Sequence, residues 1–270
     1  MRLFVRSWVW AGMVLLGVAA CVAQEADTID AKETIAPSVV ETEGKDASKE
    51  TDANTDKEEQ EIPPGRTSYL GRRIAQTMHY AGAPWLIRES REREEGCSTM
   101  LDNLGVKPGM TVCDMGCGNG FYALKLAKLV GEKGRVLGVD IQPEMLTLLK
   151  LRAKEAEMLE RIQPVLGSVV DPRLPKGKVD LILCADVYHE FSHPERMLKQ
   201  MRESLSEKGL IVLLEFRAED PDVPIKRLHK MSKAQVLKEM NANGLKLAKE
   251  YDGLPWQHMM FFGRDKSASE

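Results

Sequence analysis

The sequence predicts a doubly wound α/β fold with a mostly parallel, seven-stranded sheet, an antiparallel last strand and an N-terminal helical cap. Three observations favour this fold class. From Met110 onward, short apolar runs alternate with amphipathic helical patterns, as expected of a parallel sheet that is covered by helices on both faces. A glycine-rich turn follows the first apolar run. The last two runs are joined by Asp252-Gly253-Leu254-Pro255, which indicates a hairpin and therefore a reversed final strand.

Residues 1–23 have the pattern of an export signal, because Arg2 and Arg6 precede an apolar stretch over residues 8–23. The stretch is short for a membrane span. Small residues before Cys21 also fit a bacterial lipoprotein signal, in which the cysteine is lipidated. We therefore expect an exported or membrane-anchored protein, with an ordinary cleaved signal or a cytoplasmic chain as the alternatives.

Residues 24–61 contain 13 Asp and Glu against 4 Lys, and no aromatic residue. Such a segment buries too little apolar surface to offset its chain entropy, so we expect a disordered acidic tether. The rest of the chain carries a small net positive charge without a basic stripe, which disfavours nucleic acid as a partner. Two prolines and a glycine at 63–65 mark the next boundary. We expect N-terminal helices in residues 62–105, an α/β domain in residues 106–264 and a disordered tail in residues 265–270.

The elements follow from local patterns. Within the N-terminal part, helices are predicted at 69–79 and 85–104, separated by Gly82-Ala83-Pro84. The predicted strands are 110–115, 135–140, 162–167, 179–185, 209–216, 245–251 and 257–263. The predicted helices of the α/β domain are 119–131, 142–159, 194–206 and 232–243. Ser232 and Gln235 have the spacing of a capping box, and Gly244 is a typical stop residue after the same helix.

The most informative stretch is residues 112–120, V-C-D-M-G-C-G-N-G. An apolar run that ends in an acid and in alternate glycines indicates a strand that turns sharply into a helix, with a backbone free to approach a ligand. A dinucleotide fingerprint, G-x-G-x-x-G, would require a glycine at position 121, where this chain has Phe121. The spacing therefore disfavours a nicotinamide cofactor and an oxidoreductase.

Asp140 ends the second predicted strand, 20 positions after Gly120. A carboxylate at this point of a βαβ unit can accept both hydroxyls of a ribose. We expect that role for Asp140. A solvated strand end or a helix cap is the alternative for each of the two strand-end aspartates.

The acid-x-G-x-G-x-G pattern of Asp114, Gly116, Gly118 and Gly120 resembles the first motif of the class I S-adenosylmethionine (SAM)-dependent methyltransferases. Asp140, the segment L-C-A-D-V-Y-H-E-F after the fourth strand and the strand E-K-G-L-I-V-L-L-E-F-R extend the resemblance over most of residues 105–263. It is closest to small-molecule methyltransferases of the type that act in ubiquinone and menaquinone biosynthesis. The resemblance implies a Rossmann-like methyltransferase fold, SAM as cofactor and a small-molecule methyl acceptor whose identity stays open.

The resemblance also implies a set of cofactor-binding residues. They are Asp114, Gly116, Cys117, Gly118, Gly120, Asp140, Ile141, Ser168, Asp171 and Asp186. Many relatives place an aspartate directly after the glycine that ends the third strand, where it meets the adenine amino group. This chain has Ser168 at that point, so either Ser168 or Asp171 is expected to contact the adenine.

For an oxygen or acidic-carbon acceptor, we expect His189 to act as the catalytic base, because a neutral imidazole suits proton removal near neutral pH. Glu190 would orient this base or bind substrate. The predicted substrate-binding residues are Tyr188, Arg217, His229 and His258, with Lys226 as a further candidate for an anionic group and Tyr80 and Trp85 as candidates for closing the pocket. No pair among His189, His229 and His258 has H-x-x-x-H spacing, so we expect no metal. A metal held by these histidines with Glu190 and Glu215 is the alternative.

Five cysteines, at positions 21, 97, 113, 117 and 184, show neither metal nor disulfide spacing. Cys113 and Cys184 are expected on neighbouring central strands, where a free cysteine behaves as a small apolar residue. Cys117 lies in the glycine turn and is either a small side chain beside the ligand or a reactive thiol.

Two questions stay open in the sequence. A SAM-binding module without catalysis would need Asp114 and Asp140 but neither His189 nor Glu190. An exported domain also conflicts with the cytoplasmic origin of SAM. A lipid-anchored enzyme with a membrane-borne acceptor, or a start codon assigned too early, would reconcile the two.

Overall fold

The computed structural model describes residues 62–265 and 267 of the 270-residue chain. The predicted export signal and acidic tether lie outside the described residues, as does most of the predicted tail. Among the described residues, no helix combines the length and the apolar composition that crossing a bilayer requires.

The regular elements can be given in chain order. The strands are β1 (Ser68–Tyr69), β2 (Arg72–Arg73), β3 (Thr111–Met115), β4 (Arg135–Asp140), β5 (Ile162–Leu166), β6 (Val179–Ala185), β7 (Leu205–Arg217), β8 (Lys230–Met231), β9 (Leu245–Tyr251) and β10 (Gln257–Arg264). The α-helices are α1 (Arg91–Glu95), α2 (Cys97–Leu104), α3 (Phe121–Val130), α4 (Pro143–Glu155), α5 (Pro194–Ser204) and α6 (Lys233–Ala242). Three 3₁₀ helices cover Tyr80–Ile87, Tyr188–Glu190 and Arg227–His229.

The central sheet has the strand order β5-β4-β3-β6-β7-β10-β9. Strands β3 to β7 pair in parallel, whereas β10 runs antiparallel to both of its neighbours, β7 and β9. The predicted fold class and the predicted reversal of the last strand are therefore confirmed. The two-residue strand β8, which pairs with the end of β7, was not predicted. Strand β7 also begins at Leu205, four residues earlier than expected.

Helices cover the sheet on both faces. Helices α2, α3 and α4 pack on one face, and α5 and α6 pack on the other. Successive residues of a strand point to opposite faces, so Val112 joins the first core and Cys113 the second. Cys113 and Cys184 lie on the adjacent strands β3 and β6 and are fully buried. The expected apolar role of both cysteines agrees with these positions.

The prediction of a helix at 69–79 is wrong. Leu70 and Gly71 both have positive φ, +45° and +103°, which makes a tight turn and pairs Tyr69 with Arg72 in a hairpin. Residues 74–79 then run without regular structure across the chain at His189, where Ala75 N–H donates to the His189 carbonyl at 3.1 Å. Residues 62–79 thus form a strap rather than a helix.

The predicted helix at 85–104 is divided into three pieces. The 3₁₀ helix from Tyr80 to Ile87 contains Pro84, which was expected to lie between helices. Gly96 ends α1 in the left-handed conformation, at φ +62°, and its N–H donates to the Glu92 carbonyl. A residue with this backbone conformation stops an α-helix, so α2 begins as a separate element.

The predicted ends of α6 are confirmed, with one difference. The Ser232 hydroxyl accepts a hydrogen bond from Gln235 N–H at 3.2 Å, and Gly244 follows the helix at φ +70°. The reciprocal half of the capping box is missing, because the Gln235 amide donates to Glu239 at 2.8 Å instead.

Candidate functional site

A cavity of about 630 Å³ opens at the carboxyl edge of the parallel strands. This edge is where doubly wound folds bind ligands, because the loops after neighbouring strands diverge there. The glycine turn after β3, the ends of β4 and β6 and the end of β7 all contribute to its wall. The strap at residues 76–78 and the 3₁₀ helix at Trp85 and Leu86 close it from the N-terminal side.

The glycine turn forms one end of the cavity. Gly116, Gly118 and Gly120 have φ of +65°, +52° and +82°, a conformation that other residues adopt only with strain. Gly116 and Gly118 line the cavity, whereas Gly120 packs against Leu149 behind it. A Cβ on Gly116 would overlap the side chain of Val187. The turn therefore presents bare backbone to a ligand, as the sequence predicted.

Asp140 joins the end of β4 to this turn. Its Oδ2 accepts a hydrogen bond from Gly118 N–H and its Oδ1 accepts one from Gln142 N–H, both at 2.9 Å. Burial raises the pKa of the carboxyl, and the backbone donors partly offset the rise. Each carboxylate oxygen keeps a second lone pair for a ligand hydroxyl, and the side chain lies in the cavity wall.

Asp114 lies behind the turn and does not line the cavity. Burial raises its pKa to about 7, although the Ala123 N–H and Arg91 lower it. Its Oδ2 has no hydrogen-bond partner among the described residues. The side chain therefore lies behind the cavity wall, against the start of α3.

Ser168 and Asp171, the two residues predicted to contact the adenine, lie in the loop after β5 but differ in their position relative to the cavity. Ser168 and Val169 line the cavity next to Ile141, and Asp171 does not. The Asp171 Oδ1 accepts a hydrogen bond from Arg173 N–H at 2.7 Å, while the Ser168 hydroxyl accepts from Asp171 N–H at 3.0 Å. Asp171 is thus held in its own turn, so the expectation that it reaches back to the ligand is not supported.

Cys117, the third predicted residue of the turn, is buried and packs against Gly138 behind the cavity wall. Burial raises the pKa of its thiol well above the ordinary value. A protonated, buried thiol is a poor nucleophile, so the small-side-chain interpretation fits this position and the reactive one does not.

Asp186 stands opposite the turn, after β6, and lines the cavity. Its φ is +53°, a strained value for a residue with a side chain. Oδ2 accepts a hydrogen bond from the Gln257 amide at 2.6 Å, and Oδ1 is buried without a partner among the described residues. Burial, with Glu95 and Glu215 nearby, raises the pKa well above its usual range.

Arg91 is a cavity residue that sequence reasoning missed. Its guanidinium donates to Glu95 Oε2 and to the Leu86 carbonyl, both at 2.7 Å, and lies 4.2 Å from the centre of the Phe121 ring. Burial lowers the pKa of the Arg91 guanidinium. Tyr122 and Glu95 together raise the pKa by more than burial lowers it, so the net shift is upward. No motif marks Arg91 in the sequence, because only the packing of α1 against α3 brings it to the wall.

A polar cluster also contributes to the cavity wall, where His189, Glu190 and His229 line it. His189 Nδ1 lies 2.6 Å from Glu215 Oε2, and its Nε2 lies 3.1 Å from His229 Nδ1. Burial lowers the pKa of His189, but Glu215 raises it more. Burial and His189 together lower the pKa of His229. His189 thus has protein partners at both nitrogens and is held between two side chains, which does not suit the direct base role expected for it.

Glu190 is the carboxylate of the polar cluster that lines the cavity. Burial raises its pKa to about 7, against the lowering effects of His189 and of the Met78 N–H. That N–H belongs to the strap and lies 3.3 Å from Glu190 Oε1. The strap therefore holds Glu190 beside His189, whose Nε2 is 4.0 Å away.

Three of the four predicted substrate-binding residues do not line the cavity, and only His229 does. Tyr188 is fully buried, and its hydroxyl donates to Glu239 Oε2 at 2.7 Å. Arg217 donates to the carbonyls of Asp252 and Leu254. His258 is buried, with Nε2 2.9 Å from the Met231 carbonyl. The side chains of these three residues thus have their partners outside the cavity wall.

Of the two residues predicted to close the pocket, Trp85 lines the cavity and Tyr80 does not. Trp85 lines the cavity and remains 44% exposed, with the Arg88 guanidinium 3.5 Å from its ring centre. Tyr80 is exposed and lies outside the cavity wall. Lys226 lines the cavity, whereas Arg217, the other predicted anion-binding residue, does not.

The part of the cavity around the glycine turn and Asp140 fits SAM. Gly116 and Gly118 contribute only backbone to the cavity wall. Asp140 offers acceptors for two ribose hydroxyls. Asp186 contributes a buried oxygen without a partner among the described residues, suited to the ammonium group of the methionine part.

Comparison with known proteins agrees with this geometry. The sequence profile of the family described as "Methyltransferase domain" matches residues 106–260. A ubiquinone/menaquinone biosynthesis C-methyltransferase of Vibrio vulnificus is 27% identical over 116 residues, which are 43% of this chain and 45% of that protein. The chain spans about half the length of the curated relatives it matches.

Solved structures share the fold. A SAM-dependent methyltransferase from Aquifex aeolicus superposes with a TM-score of 0.65 at 24% identity, covering 69% of this chain and 98% of that one. The O-methyltransferase NcsB1 from neocarzinostatin biosynthesis, in complex with S-adenosylhomocysteine (SAH) and 1,4-dihydroxy-2-naphthoic acid, gives 0.58 at 18% identity over 68% of this chain and 57% of that one.

Proposed function

Because this chain belongs to the methyltransferase domain family, we propose that it transfers a methyl group from SAM to a small-molecule acceptor. The observation that carries the proposal is the junction of Asp140 with Gly118 in the wall of a cavity that a polar cluster also lines. We call the part around Asp140 and the glycine turn the cofactor end and the part around Glu190 and His229 the acceptor end. A non-catalytic SAM-binding module would need only the first.

SAM, when bound, supplies a methyl group that is already activated by its sulfonium, so the protein contributes alignment and a dry pocket. We assign Asp140 to the ribose, with Ile141 and Ser168 lining the adenine side. The glycine turn and Asp186 face the methionine part. Arg91 lies close enough to influence the pKa of both Asp114 and Asp186, and so moderates the negative charge of this end.

The acceptor end combines apolar walls with a few polar groups. Of the residues that line the cavity, we assign to it the apolar Phe191, Met197, Phe216 and Ile225 and the polar Glu190, His229 and Lys226. Such a lining suits a flat or bulky apolar molecule that carries one polar, reactive group. Glu190 and His229 receive that group, and His189 is a positioning residue that holds them in place.

We propose a hydroxylated aromatic compound as the acceptor class. Two matches support it: a relative named for ubiquinone and menaquinone biosynthesis, and a structural neighbour in complex with a dihydroxynaphthoic acid. The aromatic and aliphatic side chains of the acceptor end have the matching chemistry.

The test is SAH release by the full chain with SAM and a panel of hydroxylated aromatic compounds that includes 1,4-dihydroxy-2-naphthoic acid. We expect turnover with at least one compound, lowered in Glu190→Gln while SAM affinity stays unchanged. A matched His79→Ala variant, altered at an exposed histidine outside the cavity, should retain the activity. Tight SAM binding without turnover on a broad panel would favour the non-catalytic module.

We further propose that the N-terminus attaches the protein to a membrane. The support is the sequence pattern alone, in which two arginines precede an apolar stretch and small residues precede Cys21. Fractionation of the native cells, with protease added to the outside, tests this proposal. Recovery of the chain in the cytoplasmic fraction would contradict it.

A further inference from the structure

We propose that His189, Glu190 and His229 form a binding site for one divalent transition-metal ion at the acceptor end of the cavity. One ligand atom from each side chain lies within 4.8 Å of the others. Two imidazoles and one carboxylate are a ligand set that zinc and ferrous iron both use in sites with open coordination positions. The inference rests on the proposed function only in placing the ion beside the methyl acceptor.

The distance between the two imidazoles fits a shared ion. Two metal–nitrogen bonds of about 2.0–2.1 Å at octahedral to tetrahedral angles place their nitrogens about 2.9–3.4 Å apart. His189 Nε2 and His229 Nδ1 are 3.1 Å apart. The same distance also fits a direct hydrogen bond, so the remaining features of the cluster decide between the two.

Glu215 provides the first of these features. Its carboxylate is fully buried and lies 2.6 Å from His189 Nδ1. A carboxylate on one ring nitrogen fixes the tautomer and directs the lone pair of the other nitrogen outward, which is the usual support of a metal-binding histidine. Here that outward nitrogen is Nε2, which points to His229 and the cavity.

Charge provides the second feature. Glu190 and Glu215 place two carboxyl groups beside the imidazoles in a buried setting. The Arg72 guanidinium donates two hydrogen bonds, of 2.6 and 3.1 Å, to the Glu239 carboxylate and not to Glu190 or Glu215. Lys226 also lines the cavity, but its side chain belongs to an exposed residue. A divalent cation held by Glu190 and the two imidazoles would add positive charge beside these two carboxyl groups.

Glu190 must move to complete the site. Its Oε1 is 4.0 Å from His189 Nε2, and it accepts a 3.3 Å hydrogen bond from the Met78 N–H. A rotation of the side chain toward the histidines would bring the oxygen into the coordination sphere and release the strap. The open positions of the ion would face the cavity, where an oxygen donor of the acceptor can bind.

The experiment uses Co²⁺ as a spectroscopic probe and Zn²⁺ in calorimetric titration of the metal-stripped full chain. We expect one ion per chain and visible cobalt absorption bands. His229→Ala and Glu190→Gln should weaken binding by at least about tenfold, and Glu215→Gln by about 10–100-fold. His79→Ala, which removes an exposed imidazole outside the cluster, should bind like the wild type. Thermal unfolding of each variant shows that it is folded.

Absence of saturable Co²⁺ and Zn²⁺ binding by the wild-type chain would overturn the proposal. Equal affinity in folded His229→Ala would do the same and leave a hydrogen-bonded histidine pair. SAM affinity is measured on the same samples, so the two proposals fail separately. Loss of SAM binding with retained Co²⁺ binding would refute the proposed function and not the metal site.

Discussion

The carboxylate of Asp140 accepts a hydrogen bond from the backbone N–H of Gly118 at 2.9 Å. This contact links the end of β4 to the glycine turn after β3, so one side chain both shapes the turn and lines the cavity beside it. The other carboxylate oxygen of Asp140 accepts a hydrogen bond from Gln142 N–H at the start of α4. The glycine turn, the end of β4 and the start of α4 are therefore joined through one carboxylate.

Asp140→Ala should weaken SAM binding by about tenfold or more, since a hydrogen bond to a charged group contributes about 1.5–3 kcal/mol. Isothermal titration of the full chain with SAM and SAH measures the effect. Asp171→Ala is the matched control, because that carboxylate accepts from Arg173 N–H outside the cavity. Equal SAM affinity in the wild type and Asp140→Ala would remove Asp140 from the cofactor site.

Gly116→Ala should destabilise the protein and impair SAM binding, because the new Cβ would overlap Val187 in addition to straining the backbone. Gly177→Ala isolates the backbone cost: its φ of +68° nearly equals the +65° of Gly116, yet nothing lies within 4 Å of its added Cβ. We expect Gly116→Ala to cost about 1–3 kcal/mol more in the free energy of unfolding. Urea unfolding compares the two, and equal losses would show that the overlap is relieved without cost.

Asp114 should make the stability of the ligand-free protein depend on pH. Its pKa of about 7 in the folded state exceeds the ordinary 3.8, so folding favours the protonated form. The stabilising contribution is complete below the unfolded pKa and is lost as the pH rises through about 7.

Asp114→Asn stays neutral at every pH, so its free energy of unfolding relative to the wild type should rise by about 2–3 kcal/mol between pH 5 and pH 8. Unfolding measured at both pH values tests this expectation. Asp102→Asn changes an exposed carboxylate and should not alter the pH dependence. A constant difference between Asp114→Asn and the wild type would contradict the raised pKa.

Tyr188→Phe should reduce stability without changing SAM affinity or the Michaelis constant for the acceptor. The hydroxyl bonds to Glu239, which also binds Arg72, so its removal should cost about 1.5–3 kcal/mol. Thermal unfolding and steady-state kinetics on one preparation separate the two effects. A raised Michaelis constant at unchanged stability would return Tyr188 to the substrate site.

Much of the sheet could be predicted from local pattern. Six of the seven predicted strands match the observed ones to within one residue at each end, because turn residues and helical patterns delimit these short runs in the sequence. Strand β7 was the exception: it extends back through polar residues 206–208, where pairing with β6 rather than hydrophobicity sets its start.

The strap could not be predicted in the same way. Residues 69–79 carry no strong periodic signal, and their course depends on the hairpin turn at Leu70 and Gly71 and on partners more than a hundred residues away, such as the His189 carbonyl. Long-range hydrogen bonds of this kind leave no trace in the local sequence.

By itself, the sequence determined the order of strands and helices, the glycine turn and the position of Asp140, because these features follow from local periodicity and from the special backbone freedom of glycine. Only the tertiary structure decided which polar side chains meet. It gave Tyr188, Arg217 and His258 partners outside the cavity wall, brought Arg91 to the cavity and set His189 between Glu215 and His229. Side-chain direction depends on packing between elements distant in sequence, and that packing is fixed only when the sheet and its helices assemble.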